Sequence, residues 1–116
     1  MKAFVFSGQG SQKEGMGQAL FAASQAAARV YEQAADTVGL DILNLNEQQL
    51  QQTKYAQLAI VTMSMAAWAA YEEAAEAQAG ASTDPSAFAG FSLGEYSALG
   101  AAGIVTLTDL LKLTAV

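Results

Sequence analysis

Among the 116 residues, the stretch Gly90-Phe91-Ser92-Leu93-Gly94 has the types and spacing that specify the most chemistry. A serine with glycine two residues before and two after fits the G-x-S-x-G nucleophile elbow. There a tight strand-to-helix turn lifts a hydroxyl above a sheet. The spacing has a steric cause: strand and helix crowd the turn, so its flanks must lack side chains. Such a turn presents Ser92 Oγ at a helix N-terminus. It also directs the Leu93 N–H to where a tetrahedral oxyanion forms. Ser92-Leu93-Gly94-Glu95 can equally be read as an S-x-x-E capping box. A cap accounts for neither Gly90 nor Gly94, and glycine costs a helix about 1 kcal/mol against alanine.

A second glycine cluster, Ser7-Gly8-Gln9-Gly10-Ser11-Gln12, follows an apolar run at Lys2–Phe6. It is not a dinucleotide fingerprint, since Lys13 stands where the third glycine belongs, and Met16 after Gly15 excludes a P-loop. Two readings stand. In one, glycines around Gln9 let its N–H approach a bound carbonyl at the carboxyl end of a parallel strand, where ligands collect. In the other the segment is an ordinary glycine-rich turn. Gln57 also has two readings: a polar side chain that orients a ligand, or a partly exposed glutamine in a first helical turn. Met63 and Met65 read as core filler. Glu72, Glu73 and Glu76 read as a solvated face and not as an acid/base pair.

The residue types that are missing narrow the chemistry further. The chain has no cysteine and no histidine. Disulfides, thiolate catalysis and Cys- or His-based metal sites are excluded, and no Asp-rich calcium loop is present, so no metal site is expected. The net charge is −6 with five basic residues and no basic cluster, which argues against nucleic acid or an anionic membrane surface. The longest mostly apolar stretch, Leu58 to Tyr71, falls short of the roughly 20 residues of a spanning helix. The opening apolar run is too short for a signal peptide. A cytoplasmic protein is expected.

The elements that must position these residues follow from pattern. Apolar residues make up 53% of the chain, enough for a core, and 26 alanines favour helix. Lys2–Phe6 reads as a buried strand. A helix is expected from Gln18 to Val38, its buried face marked by Ala27, Val30, Tyr31, Ala34 and Val38, with Gly39 as its stop. Residues 41–52 read as short irregular helix. A long helix opens at Thr53 and runs to about Ala79, apolar on most sides in its middle and solvent-facing over 71–76. Ala87–Phe91 reads as a second buried strand. A helix follows from Ser92 to about Leu99, broken by Gly100 and Gly103. Thr106 caps a last helix still running at Val116. Strands separated by helical crossovers imply a parallel α/β sheet. Two strands cannot make a sheet buried on both faces, so a piece of a larger domain is expected.

Taken together, Phe4-Val5-Phe6-Ser7-Gly8-Gln9-Gly10-Ser11-Gln12, Gly15-Met16-Gly17, Thr53-x-x-x-Gln57-x-Ala59 and Gly90-Phe91-Ser92-Leu93-Gly94-Glu95-Tyr96-Ser97-Ala98 closely resemble the malonyl-CoA:acyl carrier protein transacylases. The acyltransferase domains of polyketide and fatty acid synthases share this pattern. The resemblance implies the amino-terminal part of an α/β-hydrolase-like large subdomain over residues 1–116. The ferredoxin-like small subdomain and the rest of the sheet are then absent. It implies ping-pong transfer of malonyl from coenzyme A, through an ester on Ser92, to the phosphopantetheine thiol of acyl carrier protein. No cofactor is held permanently, and the coenzyme A thioester is a substrate. By position Ser92 matches the family nucleophile. The N–H groups of Gln9 and Leu93 match its oxyanion hole, and Gln57 matches a glutamine near the site.

The chain departs from the family pattern in two places. Phe91 stands where many members have histidine. The family's general base is a histidine far downstream, and its carboxylate clamp is an arginine in the helix after the elbow. This chain has no histidine, and its one arginine is Arg29, in an early helix. A partner is therefore expected in the missing carboxyl-terminal part of the same enzyme, and the 116 residues alone should be nearly inactive. Two other readings are a serine acyl hydrolase of related fold, with water as acceptor, and a non-catalytic fragment that pairs with another chain.

Overall fold

The computed structural model describes residues 3–8, 10–77, 87–90 and 94–114, with the backbone alone at 87, 88 and 95. Strand β1 (Ala3–Phe6) leads through helices α1 (Gln18–Ala23) and α2 (Gln25–Val38) to a 3-10 turn at Ile42–Asn44. Helices α3 (Glu47–Leu50) and α4 (Thr53–Ala77) follow, then strand β2 (Ala87–Gly90), α5 (Gly94–Ala101) and α6 (Leu107–Thr114). The two strands pair in parallel, with Ala3 opposite Ala87 and Phe6 opposite Gly90. That is the pairing a long helical crossover imposes. Among the described residues no helix is long and apolar enough to cross a membrane.

Helix α4 is the spine. One cluster packs Leu58, Ala59 and Ala66 against Ala27, Tyr31 and Ala34 of α2. A second packs Ile60, Val61 and Met65 against Phe6 of β1, Ala98 of α5 and Leu110 of α6. Burial on several sides of α4 agrees with its apolar composition. Its far end departs from the expected solvent-facing stretch, since Ala75 is buried.

The strand burial also differs from expectation. β1 alternates: Phe6 is buried, Phe4 is half-buried, and Val5 is 78% exposed. Among the described residues only one face of the sheet is covered, so an apolar run that reads as fully buried is buried at every second residue. Phe4 meets Trp68 and Tyr71 edge to face, and those two rings stack on each other, beside a groove of about 320 Å³ along β1.

The expected Gln18–Val38 helix is two helices. Ser24 is extended (φ −132°, ψ 123°), and its Oγ accepts the Ala27 N–H, which caps α2. Glu73 of α4 reaches the same point. It accepts from Ser24 Oγ at 2.9 Å and from the Ala26 N–H at 3.1 Å. A carboxylate is favourable at a helix N-terminus, where unpaired N–H groups concentrate. Glu73 is therefore not part of a merely solvated face. Gly39 ends α2 in the left-handed region (φ 70°), as expected. Gly100 does not break α5. It lies inside the helix, where an added Cβ would stand 2.8 Å from both Leu110 Cδ2 and Met65 Sδ. The chain turns instead at Gly103 (φ 79°), and Thr106 Oγ1 then caps α6 by accepting the Asp109 N–H.

Candidate functional site

The carboxyl end of β1 meets the start of α5 at Gly94. A Cβ on Gly94 would collide with the Phe6 carbonyl oxygen and would stand 2.9 Å from Phe6 C and 3.0 Å from Ser7 O. The φ of Gly94 is not in the left-handed region, so its conformation suits any residue. Space alone requires glycine there. Gly90 ends β2 directly opposite Phe6. Both glycines of the G-x-S-x-G motif thus border the carboxyl end of β1, one through strand pairing and one through backbone contact. Phe91, Ser92 and Leu93, which the chain places between them, lie outside the described residues, as does Gln9.

The glycine loop that leaves β1 is braced by its own side chains. Ser11 Oγ donates to the Gly8 carbonyl at 3.0 Å and stands 3.3 Å from Ser7 Oγ. Gln12 Oε1 accepts the Gly10 N–H at 2.7 Å, and its Nε2 makes a long 3.5 Å contact to the Leu50 carbonyl. Gly10 has φ 109° in open space, so backbone conformation and not crowding calls for glycine. At the far end of the loop, Gly17 (φ 90°) sits over the Tyr31 ring, where a Cβ would come within 2.8 Å of Cζ. Tyr31 is buried, and its hydroxyl donates to Met63 Sδ at 3.6 Å. Burial pushes its phenol up to about 12. Met63, expected as core filler, also anchors this tyrosine.

Gln57 lies in the first turns of α4 and is half-buried. Helix α4 runs antiparallel to β1: Trp68 and Tyr71 touch Phe4, while Met63 and Ser64 share a groove with Phe6 and Ser7. From residue 63 back to 57 the helix rises about 9 Å. Glu72, Glu73 and Glu76 lie toward the carboxyl end of α4. Glu72 and Glu76 border one depression with Arg29. Burial raises the Glu72 carboxyl above its usual value, with Glu76 adding repulsion. Among the described residues no group of acidic side chains is arranged to hold a metal ion.

The side chains of Ser11 and Gln12, which brace the loop, carry no role in the motif spacing. Their signal was present: hydrogen-bonding residues directly after two closely spaced glycines, where a loop needs pinning.

A parallel strand pair joined by a helical crossover, with a helix that opens at Gly94 against the carboxyl end of the neighbouring strand, defines an α/β protein. The chain belongs to the acyl transferase domain family, whose model matches residues 3–116. It is 37% identical over 115 residues to a malonyl CoA-acyl carrier protein transacylase of Bacillus subtilis, covering 96% of this chain and 27% of that protein. The crystal structure of MCAT from Streptococcus pneumoniae superposes with a TM-score of 0.89 at 34% identity, over 99% of this chain and 36% of that one. A malonyl-transacylase in complex with a holo type II polyketide acyl-carrier protein superposes at 0.85 and 35% identity, over 97% of this chain and 36% of that one. The chain therefore spans about a third of the length of these relatives.

Proposed function

We propose that the complete protein transfers malonyl from malonyl-CoA to the phosphopantetheine thiol of an acyl carrier protein. The observation that carries this is Gly94, packed without room for a Cβ on the Phe6–Ser7 backbone in a chain of the acyl transferase family. Ser92 Oγ attacks the thioester carbonyl and loses its proton. The N–H groups of Gln9 and Leu93 receive the oxyanion, and coenzyme A leaves as its thiol. The carrier thiol then attacks the seryl ester, and Ser92 recovers its proton. Gln57 orients the acyl group. No permanent cofactor takes part.

A serine hydroxyl needs an adjacent base, and no histidine occurs in these 116 residues. The base, and a cation for the malonyl carboxylate, come from a further segment, together with the ferredoxin-like subdomain and the rest of the sheet. Residues 1–116 are then the amino-terminal segment of the large subdomain, acting in the cytoplasm. The test supplies labelled malonyl-CoA to the complete protein, with and without a holo acyl carrier protein. Label moving to the carrier thiol supports the reading. Release of free malonate at the same rate with or without carrier would instead identify a serine acyl hydrolase.

A further inference from the structure

The side chains of a strand alternate between its two faces. A groove that touches four consecutive residues therefore runs along an edge of the strand and not over one face. The 320 Å³ groove is of this kind, since Phe4, Val5, Phe6 and Ser7 form one wall. The other wall is α4 between Met63 and Tyr71. Ala89 and Gly90, the β2 residues paired with Val5 and Phe6, do not line it, so it follows the edge of β1 that faces away from β2. The two walls match in length. Residues 63 to 71 span about 12 Å of helix, and residues 4 to 7 span about 10 Å of extended chain. Spread over that length, 320 Å³ leaves a section of about 30 Å². That is the width of one extended chain, whereas a helix with its side chains is about 10–12 Å across. The lining is mostly apolar, with the hydroxyls of Ser7 and Ser64 in it. Val5, on the groove wall, is 78% exposed. Two strands alone are marginal in water, and among the described residues β1 has β2 as its one neighbouring strand. The relatives have chain to spare for more: these 116 residues cover 27% of the Bacillus subtilis transacylase and 36% of the Streptococcus pneumoniae one.

We propose that the groove between β1 and α4 is the docking site of a third strand, an extended apolar segment of the complete protein outside residues 1–116, which makes β1 an interior strand. This rests on the reading, given under Proposed function, that residues 1–116 are one segment of a larger subdomain. Alternate side chains of that strand fall on the Trp68 and Tyr71 side of the sheet, and the others fall on the side of Val5. Both walls they meet are apolar, so both sets are apolar, as in the strands of a sheet covered on two faces.

The test is residue-resolved amide hydrogen exchange, with interstrand proton contacts, by NMR on the complete protein. Successive N–H groups of a strand point to opposite edges. A strand paired on one edge protects every second amide, and one paired on both edges protects them all. Phe4, Val5 and Phe6 should each exchange at least about 1,000-fold more slowly than an open peptide, as core strands do. Backbone Hα–HN contacts should run from β1 to residues beyond 116. Fast exchange at alternate positions of β1 would overturn the proposal, and so would full protection with contacts only to the side chains of a helix. Protection that disappears on dilution to the monomer would mean that a second copy fills the groove, which also overturns it. None of these readouts needs turnover. A protein with the third strand but no malonyl transfer would lose the proposed function and keep this inference. Malonyl transfer with an open β1 edge would do the reverse.

Discussion

Replacing Gly94 by alanine adds one carbon where the backbone of β1 already stands. The new Cβ would meet Phe6 C at 2.9 Å and Ser7 O at 3.0 Å, with the Phe6 carbonyl oxygen closer still. Carbon contacts are comfortable at about 3.5 Å and beyond, so α5 must lift from β1 by roughly half an ångström or more. Backbone cannot swing aside as a side-chain tip does. Overpacking of this kind costs about 1–3 kcal/mol, while alanine in a helix returns at most about 1 kcal/mol. The clash wins, and a net loss of about 1–2 kcal/mol is expected. The lift also moves the start of α5, which follows Ser92 by two residues in the chain, and on the proposed role of Ser92 a misplacement of about 1 Å costs on the order of 100-fold in rate. Urea unfolding gives the stability and rapid-quench acylation by malonyl-CoA gives the rate. Gly100→Ala is the internal control, because its Cβ would meet only the ends of two flexible side chains, Leu110 and Met65. It should lie within about 1 kcal/mol of wild type, as the helix-propensity gain offsets the squeeze. Wild-type stability together with wild-type acylation in Gly94→Ala would refute the argument that space dictates this glycine.

Other residues make independent tests. Glu73→Ala should destabilise by about 1–2 kcal/mol by uncapping α2, with Glu73→Gln recovering part of the loss, measured by urea unfolding; equal stability in all three would remove Glu73 from the cap. Tyr31 has its phenol raised from 10.0 to about 12 by burial. Between those pH values the unfolded chain has lost a proton that the folded chain keeps, so stability should fall as pH rises through that window, by up to about 2–3 kcal/mol. Tyr31→Phe should abolish that part of the slope in thermal unfolding followed from pH 9 to 12, and an unchanged slope would show that the phenol is not held neutral by burial.

Local signals were legible where a residue acts on its own neighbours. Gly39 in the left-handed region, Thr106 capping α6 and the parallel pairing through a helical crossover all follow from short-range chemistry. What escaped was set by distant partners. The alanine-rich text around Ser24 favours helix on both sides, and the break is fixed by Ser24 together with Glu73, far along the chain. Gly100 resembles a helix breaker by type, yet it lies in the last turn of α5, facing Met65 and Leu110. Val5 reads as buried by hydropathy and is exposed, since no described element covers that face of β1. At the candidate site the need for glycine at position 94 was recognisable from spacing. The bracing by Ser11 and Gln12 was not, because it depends on loop geometry that spacing does not encode.

The central claim is that Ser92 carries the acyl group. Intact-mass spectrometry of the complete protein after brief mixing with malonyl-CoA measures it directly. The wild-type protein should gain the mass of one malonyl group, and Ser92→Ala should gain none. A malonyl adduct that persists in Ser92→Ala at the wild-type level would contradict the account.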